Sequence, residues 1–401
     1  MPPSQEDLLE EQIHFANIVE TFKQYGPYAL AANNKRRKDF FTLPRRDRDI
    51  LEELGYRTKI NEVDEAILKN AEFLSMIVAD PEIFGSMDED DVTDEEDLSI
   101  DVPDRADAQR HEPGHSHSHS HSHGTRSRRP RYRPTEFDMD KLRSTIKQFV
   151  RDWTTEGEVE REACYKPMTD ALLAHFGDIP TEERRNFRVL VPGAGLGRLA
   201  WDVARLGFAC QGNEFSHYML LSSYFILNRT TSVDAHTIYP YVHSFSNVTD
   251  RASLLRSVSI PDVLPSALPE GSDFSLVAGD FEEVYGPDNP DESNEGKWDA
   301  ILTCFFIDTA KNIVNYLRVM HHILAPGGIW INIGPLLWHW ENNTTNDPSV
   351  ELDLEEVKLL ARKLGFKLAN ERTIKTTYTS DANSMLGYVY ETAFWTATKE
   401  V

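Results

Sequence analysis

The first part of the chain has the residue spacing of amphipathic helices. Within 5–83, apolar residues recur three and four positions apart, which keeps one face of a helix apolar. The residues that set this period in the first helix are Leu8, Leu9, Ile13, Phe15, Ile18, Val19 and Phe22. A second helix is predicted over 44–55 and a third over 61–80. We therefore predict a helical region over 1–85.

From residue 136 onward, short apolar runs alternate with helical segments. Residues 139–176 predict two helices. The predicted strands that follow are 187–192, 209–214, 273–280, 298–306, 329–335, 367–373 and 389–398, and the predicted helices between them are 197–206, 216–228, 309–324 and 353–364. Strands that alternate with helices favour an α/β fold with a mainly parallel, doubly wound sheet, and we assign 136–401 to this domain.

The segment 86–135 between these regions has a different composition. It contains an acidic run, the alternating "HSHSHSHSH" tract and an arginine-rich stretch, with few apolar residues. Such a segment buries too little apolar surface to offset its ordering entropy, so we predict a disordered insert. The tract is interpreted as solvated low-complexity sequence, with weak binding of a transition metal as the alternative. No resident metal is predicted.

The overall charge restricts the partners of the protein. The chain has a formal net charge of −24, which argues against general binding to nucleic acid or to membrane surfaces, because both are anionic. Three cysteines without close pairing fit a reducing compartment. The start of the chain is polar, and no apolar stretch approaches the roughly 20 residues that span a bilayer. We expect an intracellular protein located in the cytoplasm, with the nucleus as an additional site.

A glycine-rich loop follows the first predicted strand. Gly193, Gly195 and Gly197 stand in "VLVPGAGLGR", where the backbone must turn sharply and approach a ligand closely. The helix that follows offers N–H groups to polar or anionic groups. Glu214 closes the second predicted strand, where a carboxylate can accept hydrogen bonds from both hydroxyls of a ribose. The loop predicts a nucleotide-like ligand, with a turn that binds no ligand as the alternative.

The glycine spacing discriminates between nucleotide cofactors. Dinucleotide-binding loops have the pattern G-x-G-x-x-G, whereas this loop is G-x-G-x-G, with Arg198 where the third glycine of the dinucleotide pattern belongs. A bulky residue there is expected to crowd the approach of helix and pyrophosphate. The loop resembles motif I of class I S-adenosylmethionine-dependent methyltransferases, whose cofactor has no phosphate.

Two further features extend this resemblance. Asp280 ends the third predicted strand and precedes Phe281; in that fold an acid there can accept from the adenine amino group, and an aromatic ring can stack on adenine. The order of strand, helix, "PGG" turn and strand over 298–332 is typical of these enzymes. The resemblance implies a Rossmann-like class I methyltransferase with a seven-stranded doubly wound sheet, an N-terminal helical region, and S-adenosylmethionine as cofactor.

Five longer stretches carry a narrower resemblance. They are "STIKQFVRDWTTEGEVEREACYKP" (144–167), "CFFIDTAKNIVNYL" (304–317), "WINIGPLLWHWEN" (330–342), "SVELDLEEVK" (349–358) and "TYTSDANSMLGYVYETAFW" (377–395). The chain is similar to the carnosine N-methyltransferase family over 10–85 and 137–398, whereas 86–135 matches no motif of it. The resemblance implies methyl transfer to the imidazole of carnosine, β-alanyl-histidine, which gives anserine, with related histidine-containing peptides as further substrates.

The resemblance also implies the cofactor residues. In the family, the helix before the sheet supplies a glutamine and an arginine, which Gln148 and Arg151 match here. A guanidinium can pair with the methionine carboxylate through two parallel hydrogen bonds; an arginine on the helix surface is the alternative. Cys304 is expected to contribute packing or backbone rather than a thiolate. The full set is Gln148, Arg151, Gly193, Gly195, Gly197, Glu214, Asp280, Phe281 and Cys304.

For the substrate, the resemblance implies two catalytic residues, Asp308 and His339, and three tyrosines. Imidazole has a pKa of about 6.5 and is nucleophilic when neutral, so positioning is expected to be the main catalytic contribution. Asp308 can hold the distal N–H and favour the imidazolium that forms; a role as N-cap of the next helix is the alternative. The implied substrate-binding residues are Asp308, His339, Tyr378, Tyr388 and Tyr390.

The other substrate residues also have alternative roles that are purely structural. A lone histidine such as His339 is more often a packed or surface residue. Tyr388 and Tyr390 alternate, so we expect them to share one face of a strand, with a core stripe of the sheet as the alternative.

Other functions remain open at this point. The first is methylation of protein histidines or of other small molecules in the same pocket. The second is a non-catalytic interaction protein built on this scaffold. The expected partner is a small dipeptide, with no nucleic acid and no membrane, and the resemblance suggests a homodimer formed through the N-terminal helices.

Overall fold

A computed structural model describes residues 5–80, 132–287, 289, 294–345 and 347–400, with side chains from residue 9 onward. The predicted disordered insert 86–135 lies outside the described residues up to residue 131. The chain up to Ala79 and the chain from Arg133 onward form one compact unit. Among the helices that the structure describes, none combines the length and the apolarity that crossing a bilayer requires.

The elements follow in an order that the sequence pattern largely predicts. The helices are α1 (Gln5–Thr42), α2 (Arg45–Glu53), α3 (Tyr56–Ile77), α4 (Glu136–Trp153), α5 (Glu158–His175), α6 (Arg198–Arg205), α7 (His217–Tyr224), α8 (Arg251–Leu254), α9 (Phe281–Tyr285), α10 (Ile313–Ile323) and α11 (Leu354–Lys363). The strands are β1 (Arg188–Pro192), β2 (Ala209–Glu214), β3 (His236–Ile238), β4 (Val258–Ile260), β5 (Phe274–Ala278), β6 (Trp298–Cys304), β7 (Leu324–Gly334), β8 (Phe366–Thr376) and β9 (Tyr390–Lys399).

Seven of these strands form one sheet in the order β5-β2-β1-β6-β7-β9-β8. In this order, the first five strands, β5, β2, β1, β6 and β7, run parallel to one another. Strand β9 pairs antiparallel with both β7 and β8. The predicted seven-stranded, doubly wound α/β sheet with an N-terminal helical region is confirmed. Strand order reverses between β1 and β6, and in open α/β sheets ligands bind at the carboxyl ends of the strands beside such a reversal.

The sheet separates two apolar layers. Ala300 and Ile301, neighbours on β6, belong to different core clusters, because successive strand residues point to opposite faces. Val189 and Leu190 of β1 divide between the layers in the same way. Strands covered on both faces have nearly continuous apolar sequences, which explains why these two strands were recognisable.

The main differences from the predicted elements lie in the helices and in short elements. Helix α1 continues through Pro27 to Thr42, and α3 begins directly after Gly55, whose positive φ of +72° separates it from α2. A separate two-stranded sheet of β3 and β4 was not predicted. Each of those strands has 3 residues, which is too short to establish a period.

The N-terminal helices pack against the sheet domain through aromatic rings. Phe22 of α1 stacks on Tyr218 of α7, with 5.8 Å between the ring centroids. Phe73 of α3 packs edge-on against Phe149 of α4 at 5.2 Å. All four side chains are buried, so burial of these rings stabilises the joint between the two parts.

A buried polar network completes this joint. Asn70 of α3 accepts a hydrogen bond from the Tyr239 N–H (2.7 Å) and donates to the Tyr25 hydroxyl (3.1 Å). The Tyr25 hydroxyl lies 2.7 Å from His243 Nε2, and Arg36 donates to the His243 carbonyl at 3.1 Å. The loop after β3 is thus bound by both α1 and α3.

Stability is expected to fall in mild acid partly because of His243. Burial, followed by the charges of Arg143 and Lys147, lowers the pKa of His243 to about 3. In the unfolded chain this histidine binds a proton as the pH falls through about 6.5, whereas in the folded chain it stays neutral down to about pH 3. The free energy of unfolding therefore decreases as the pH falls from about 6.5 to about 3. At about pH 5.5 this contribution is roughly 1 kcal/mol.

Denaturant titrations at about pH 7.5 and about pH 5.5 measure this loss. His243→Gln retains a hydrogen-bonding side chain but does not titrate, so the variant should lose roughly 1 kcal/mol less stability than the wild type between the two pH values. Equal losses in the two proteins would contradict the assignment.

Candidate active site

The glycine loop turns sharply between β1 and α6. Gly193, Gly195 and Gly197 have φ values of 65°, 56° and 82°, which glycine adopts without steric cost. A Cβ at Gly193 would lie 2.6 Å from the Phe306 ring. A Cβ at Gly195 would lie no closer than 3.7 Å to any other part of the described chain, where it meets Gln148 Nε2. Protein atoms exclude a side chain at 193, whereas space beside 195 is open to a ligand.

Glu214 binds this loop from the end of β2. Its Oε2 accepts a hydrogen bond from the Gly195 N–H (2.8 Å), and its Oε1 accepts from the N–H groups of Phe215 (2.9 Å) and Ser216 (2.8 Å). Burial raises the pKa of Glu214, and these three donors oppose the shift. Since a carboxylate accepts about four hydrogen bonds, about one position remains for a ligand hydroxyl.

The sequence predicts that Arg198, the first residue of α6, crowds the glycine loop, but the structure shows no such crowding. Its guanidinium packs against the rings of Trp153 and Trp201, at 5.1 and 5.4 Å from their centroids. It donates to Asp262 Oδ1 (2.6 Å) and to the Asp152 carbonyl (2.8 Å). The protein's own packing takes up the bulk of the side chain.

Arg151 lies on the buried face of α4 and is 5% exposed, so the alternative of a surface arginine is wrong. Its Nη1 donates to the Tyr165 hydroxyl (2.8 Å), and its Nη2 lies 3.7 Å from Cys304 Sγ. The guanidinium also lies over the Tyr378 ring, 4.7 Å from its centroid. Its Nε is buried and has no hydrogen-bond partner among the described residues; Glu160 Oε2 is 3.7 Å away.

Gln148 and Asp152 lie beside Arg151, because positions i, i+3 and i+4 share a helix face. Gln148 Nε2 donates to Asp152 Oδ2 (3.1 Å), and the Tyr165 hydroxyl donates to Asp152 Oδ1 (2.7 Å). Gln148 and Asp152 are 4% and 1% exposed. Sequence reasoning missed Asp152 and Tyr165. Helical spacing from Gln148 was an available signal for Asp152, whereas no local pattern indicates Tyr165.

Asp280 and Phe281 lie between β5 and α9. Asp280 is the N-cap of α9, and its Oδ1 accepts from the N–H groups of Glu282 (2.8 Å) and Glu283 (3.3 Å). Phe281 is 3% exposed, and its ring packs edge-on against Phe306 within the core. The ring therefore lies inside the core, which differs from the ligand-facing position that stacking on adenine needs.

The chain bends sharply after β6. Burial raises the pKa of Cys304 to about 12 although Arg151 lies nearby, so its thiol is neutral. Phe305 has a φ of 52°, a conformation that bulky residues rarely adopt. Its ring lies 4.7 Å from the Tyr378 ring and 5.8 Å from the Tyr390 ring. Phe305, which sequence reasoning missed, therefore brings two of the predicted tyrosines against the end of β6.

Asp308 lies in the 3₁₀ turn Ile307–Thr309 and is 3% exposed. Its Oδ2 accepts from the Leu337 N–H (3.0 Å), and its carbonyl accepts from the His339 N–H (3.0 Å). Burial raises the pKa of Asp308, opposed by the Leu337 N–H and by His339. Its Oδ1 is buried without a hydrogen-bond partner in the part of the chain that the structure describes. Such an atom costs free energy unless a ligand donates to it.

The alternative role of Asp308 as the N-cap of the next helix is wrong. Helix α10 begins at Ile313, and its N-cap is Asn312, whose side chain accepts from the Val314 N–H (3.1 Å). Asp308 instead connects the turn after β6 to the loop after β7, because its partners Leu337 and His339 lie in that loop.

The other predicted substrate residues lie closer to solvent. His339 is exposed. Tyr378 is 39% exposed, although burial of its hydroxyl raises its pKa to about 12 against the effect of Arg151. Tyr388 is 71% exposed and precedes β9, which begins at Tyr390. The expectation that Tyr388 and Tyr390 share a strand face is therefore wrong.

The carboxyl ends of β1, β2, β6 and β7 bring these side chains to one edge of the sheet. One half of the site comprises the glycine loop, Glu214 and the buried face of α4. The other half comprises Asp308 and the loop after β7, and Phe305 and Phe306 lie between the halves. The free Nε of Arg151 fits an anionic group, and the free Oδ1 of Asp308 fits an N–H donor. Within the described ranges, no three metal-ligating side chains cluster.

Comparisons with known proteins relate this geometry to a family. A family model described as carnosine N-methyltransferase matches residues 129–401. The rat carnosine N-methyltransferase is 49% identical over 266 residues, which are 66% of this chain and 64% of that protein. The mouse carnosine N-methyltransferase is 38% identical over 397 residues, which are 98% of this chain and 88% of that protein. The fission yeast protein of the same name is 45% identical over 268 residues, which are 64% of this chain and 70% of that protein.

Similar solved structures include SAM-dependent methyltransferases. The one from Aquifex aeolicus has a TM-score of 0.35 and 14% identity, with 65% of this chain and 98% of that chain covered. The one from Mesorhizobium loti has a TM-score of 0.32 and 11% identity, with 56% of this chain and 96% of that chain covered.

Gly193→Ala is expected to destabilise the protein more than Gly271→Ala. Both glycines have positive φ, 65° and 77°, so each substitution costs roughly 1 kcal/mol of backbone strain. At 193 the added methyl also meets the Phe306 ring at 2.6 Å, which adds about 1–3 kcal/mol, whereas at 271 no other part of the described chain lies within 4 Å. Urea unfolding of both variants measures the difference. Equal losses would show that Phe306 moves away without cost.

Proposed function

The chain belongs to the carnosine N-methyltransferase family, and we propose that it transfers a methyl group from S-adenosylmethionine to the histidine imidazole of carnosine, which yields anserine. The observation that carries this proposal is the buried, unpartnered Oδ1 of Asp308 at the edge of the sheet. An acceptor that donates one N–H and becomes cationic during the reaction matches this atom in hydrogen bonding and in charge.

The glycine loop and α4 fit the methyl donor. Gly195 leaves space beside the loop, and the remaining acceptor position of Glu214 suits a ribose hydroxyl. The unpartnered Nε of Arg151 suits the methionine carboxylate. S-adenosylmethionine supplies an electrophilic methyl group on a sulfonium.

Gln148, Asp280 and Cys304 complete the proposed cofactor set. Gln148 borders the space beside Gly195, and neutral Cys304 lies against Arg151. Asp280 suits the adenine amino group through the carboxylate oxygen that does not cap α9. For Phe281 we revise the role from stacking on adenine to supporting the floor of the site, since its ring is enclosed in the core.

The proposed acceptor needs orientation more than it needs a base. Imidazole is mostly neutral above its ordinary pKa of about 6.5, so a lone pair is available without proton removal. Asp308 can accept from the distal N–H and stabilise the positive charge that develops when the other nitrogen is methylated. The bond from the Leu337 N–H holds the Asp308 carboxylate in place.

Aromatic rings complete the acceptor half. Phe305, Tyr378 and Tyr390 form a contiguous group beside Arg151, and ring faces attract sulfonium and imidazolium cations. We propose that these tyrosines line the acceptor site. His339 and the exposed Tyr388 would contact the outer part of the dipeptide.

We further propose a homodimer formed through the N-terminal helices, in the cytoplasm and additionally the nucleus. No residue of α2 is buried, and the exposed apolar side chains Phe41, Leu43, Ile50 and Leu54 on and beside it support an interface there. Light scattering of the purified protein measures its mass, and a monomer would reject this interface. Imaging of the tagged protein tests the location.

A substrate panel tests the proposed function. The purified protein is incubated with labelled S-adenosylmethionine and carnosine, free histidine or a histidine-containing protein fragment, and mass spectrometry locates the methyl group. We expect transfer to the imidazole of carnosine. Transfer only to the protein fragment would favour a protein-histidine methyltransferase. Absence of all transfer and of S-adenosylhomocysteine binding would favour a non-catalytic interaction protein.

Asp308→Asn is expected to lower methyl transfer to carnosine about 100-fold or more, because the amide carries no charge to oppose that of the imidazolium. The variant retains an acceptor for the Leu337 N–H, and its affinity for S-adenosylhomocysteine should stay within about threefold of the wild type. Initial rates and calorimetry measure the two quantities.

Asn312→Ala is the matched control. It removes the cap of α10, which costs about 1 kcal/mol of stability, and should leave turnover unchanged. If Asp308→Asn loses cofactor affinity instead of turnover, its proposed role is wrong.

A further inference from the structure

Asp152 is a buried carboxylate that the proposed function has not used. It is 1% exposed and lies one residue after Arg151 on the face of α4 that borders the glycine loop. Its Oδ1 accepts from the Tyr165 hydroxyl and its Oδ2 from Gln148 Nε2. Both donors are neutral.

Asp152 forms an ion pair with Arg151 but no hydrogen bond joins the two side chains. Arg151 Nη1 lies 3.6 Å from its Oδ1, beyond hydrogen-bond distance, and donates instead to Tyr165. Arg198 donates to the backbone carbonyl of Asp152, and the carboxylate with which Arg198 pairs through the same nitrogen is that of Asp262. Two neutral hydrogen bonds leave about two acceptor positions of the carboxylate free. The carboxylate can therefore accept from a further, cationic donor.

The open side of the glycine loop faces this carboxylate. The position that a Cβ of Gly195 would occupy lies 3.7 Å from Gln148 Nε2 and 3.9 Å from Asp152 Oδ2, and no other atom beyond its chain neighbours lies within 4 Å in the described chain. A ligand group placed beside Gly195 therefore reaches Asp152 Oδ2. One residue earlier on α4, the Nε of Arg151, which has no hydrogen-bond partner in the described chain, offers a donor of opposite charge.

An adjacent guanidinium and carboxylate match the two charges of an amino acid. We propose that Asp152 binds the α-ammonium of the methionine end of the methyl donor while Arg151 binds its α-carboxylate, which makes Asp152 a determinant of donor specificity. The inference rests on the proposed function, because it requires S-adenosylmethionine as the donor. A donor with a carboxylate but no amine would place its negative charge beside Asp152 without an ammonium to offset it, and its binding would be weak.

A cycle of one protein change and one ligand change tests this proposal. Calorimetry compares the wild type and Asp152→Asn for binding S-adenosylhomocysteine and its deaminated analogue, which has a carboxylate but no amine. The wild type should bind the deaminated analogue about 30-fold or more weakly. In Asp152→Asn the same ligand change should matter less than about threefold, because the charge that recognises the amine is gone.

Two controls separate recognition from folding. Methylthioadenosine lacks the whole amino acid end, so the wild type and Asp152→Asn should bind it equally if the site remains folded. Asp202→Asn removes another carboxylate, which accepts from Arg198 and is not within 4 Å of the Cβ position at Gly195, and should keep the preference of the wild type for the amine. If Asp152→Asn does not fold, equal binding of the two ligands by the wild type still overturns the proposal.

The outcomes distinguish the inference from the function on which it rests. Equal binding of the two ligands by the wild type, or an equal loss in wild type and Asp152→Asn, would overturn the role of Asp152. A wild type that binds none of the adenosyl ligands would reject the proposed function itself. A rise in KM for carnosine in Asp152→Asn, with unchanged S-adenosylhomocysteine affinity, would assign Asp152 to the ammonium of the dipeptide and also overturn the proposal.

Discussion

The site depends on how the C-terminal end of α4 is fixed to the start of α6. Arg161 Nη1 donates to the carbonyls of Arg151 (2.7 Å) and Thr154 (2.8 Å), and Arg198 donates to the carbonyl of Asp152. The last carbonyls of a helix lack intrahelical partners and carry partial negative charge, so two cations stabilise them. Both guanidiniums then bind one carboxylate, that of Asp262, at 2.6 Å each.

This arrangement positions the donor half of the site without using the side chains that face it. Arg161 and Arg198 hold the backbone at the end of α4, while the side chains of Gln148 and Asp152 border the glycine loop. Gly157 is required at the turn after α4, because a Cβ there would lie 2.2 Å from the Val150 carbonyl oxygen. Rigid support of this kind maintains charged groups in a buried site before any ligand arrives.

The donor half was largely predictable from the sequence because its signals are local. Three glycines with fixed spacing, an acid at the end of the next strand and two residues of one helix face lie within short segments. The glycine spacing favours S-adenosylmethionine as the ligand, which stays a prediction, whereas the crowding of the loop expected from Arg198 does not occur. Its side chain is directed by Trp153, Trp201 and Asp262, and the last of these is 64 residues away.

The acceptor half was less predictable because its geometry depends on distant partners. The carboxylate of Asp308 accepts from Leu337, which is 29 residues later in the chain, and this contact separates its role from helix capping. Tyr388 lies outside β9, because the strand begins at Tyr390. The alternation of the two tyrosines in the sequence does not reveal where the pairing of β9 with β8 begins. The buried charges of α4 have partners that only the packed fold brings together.

Phe305 is the point at which the two halves constrain each other. Its left-handed backbone turns the chain between Cys304, which contacts Arg151, and Phe306, whose ring lies under Gly193. Gly334 allows this turn, because a Cβ there would lie 3.2 Å from Phe305 Cα. Strained residues persist only where the surrounding structure holds them.

Three contacts hold this residue: the backbone bond from Phe305 N–H to the Ile333 carbonyl (2.8 Å) and the rings of Tyr378 and Tyr390. The same short segment therefore sets the floor of the glycine loop at one end and the position of Asp308 at the other. A shift of this turn would move the donor and acceptor groups relative to each other, and methyl transfer requires that the reacting atoms be aligned. The strain at Phe305 is consistent with a structural need for that alignment.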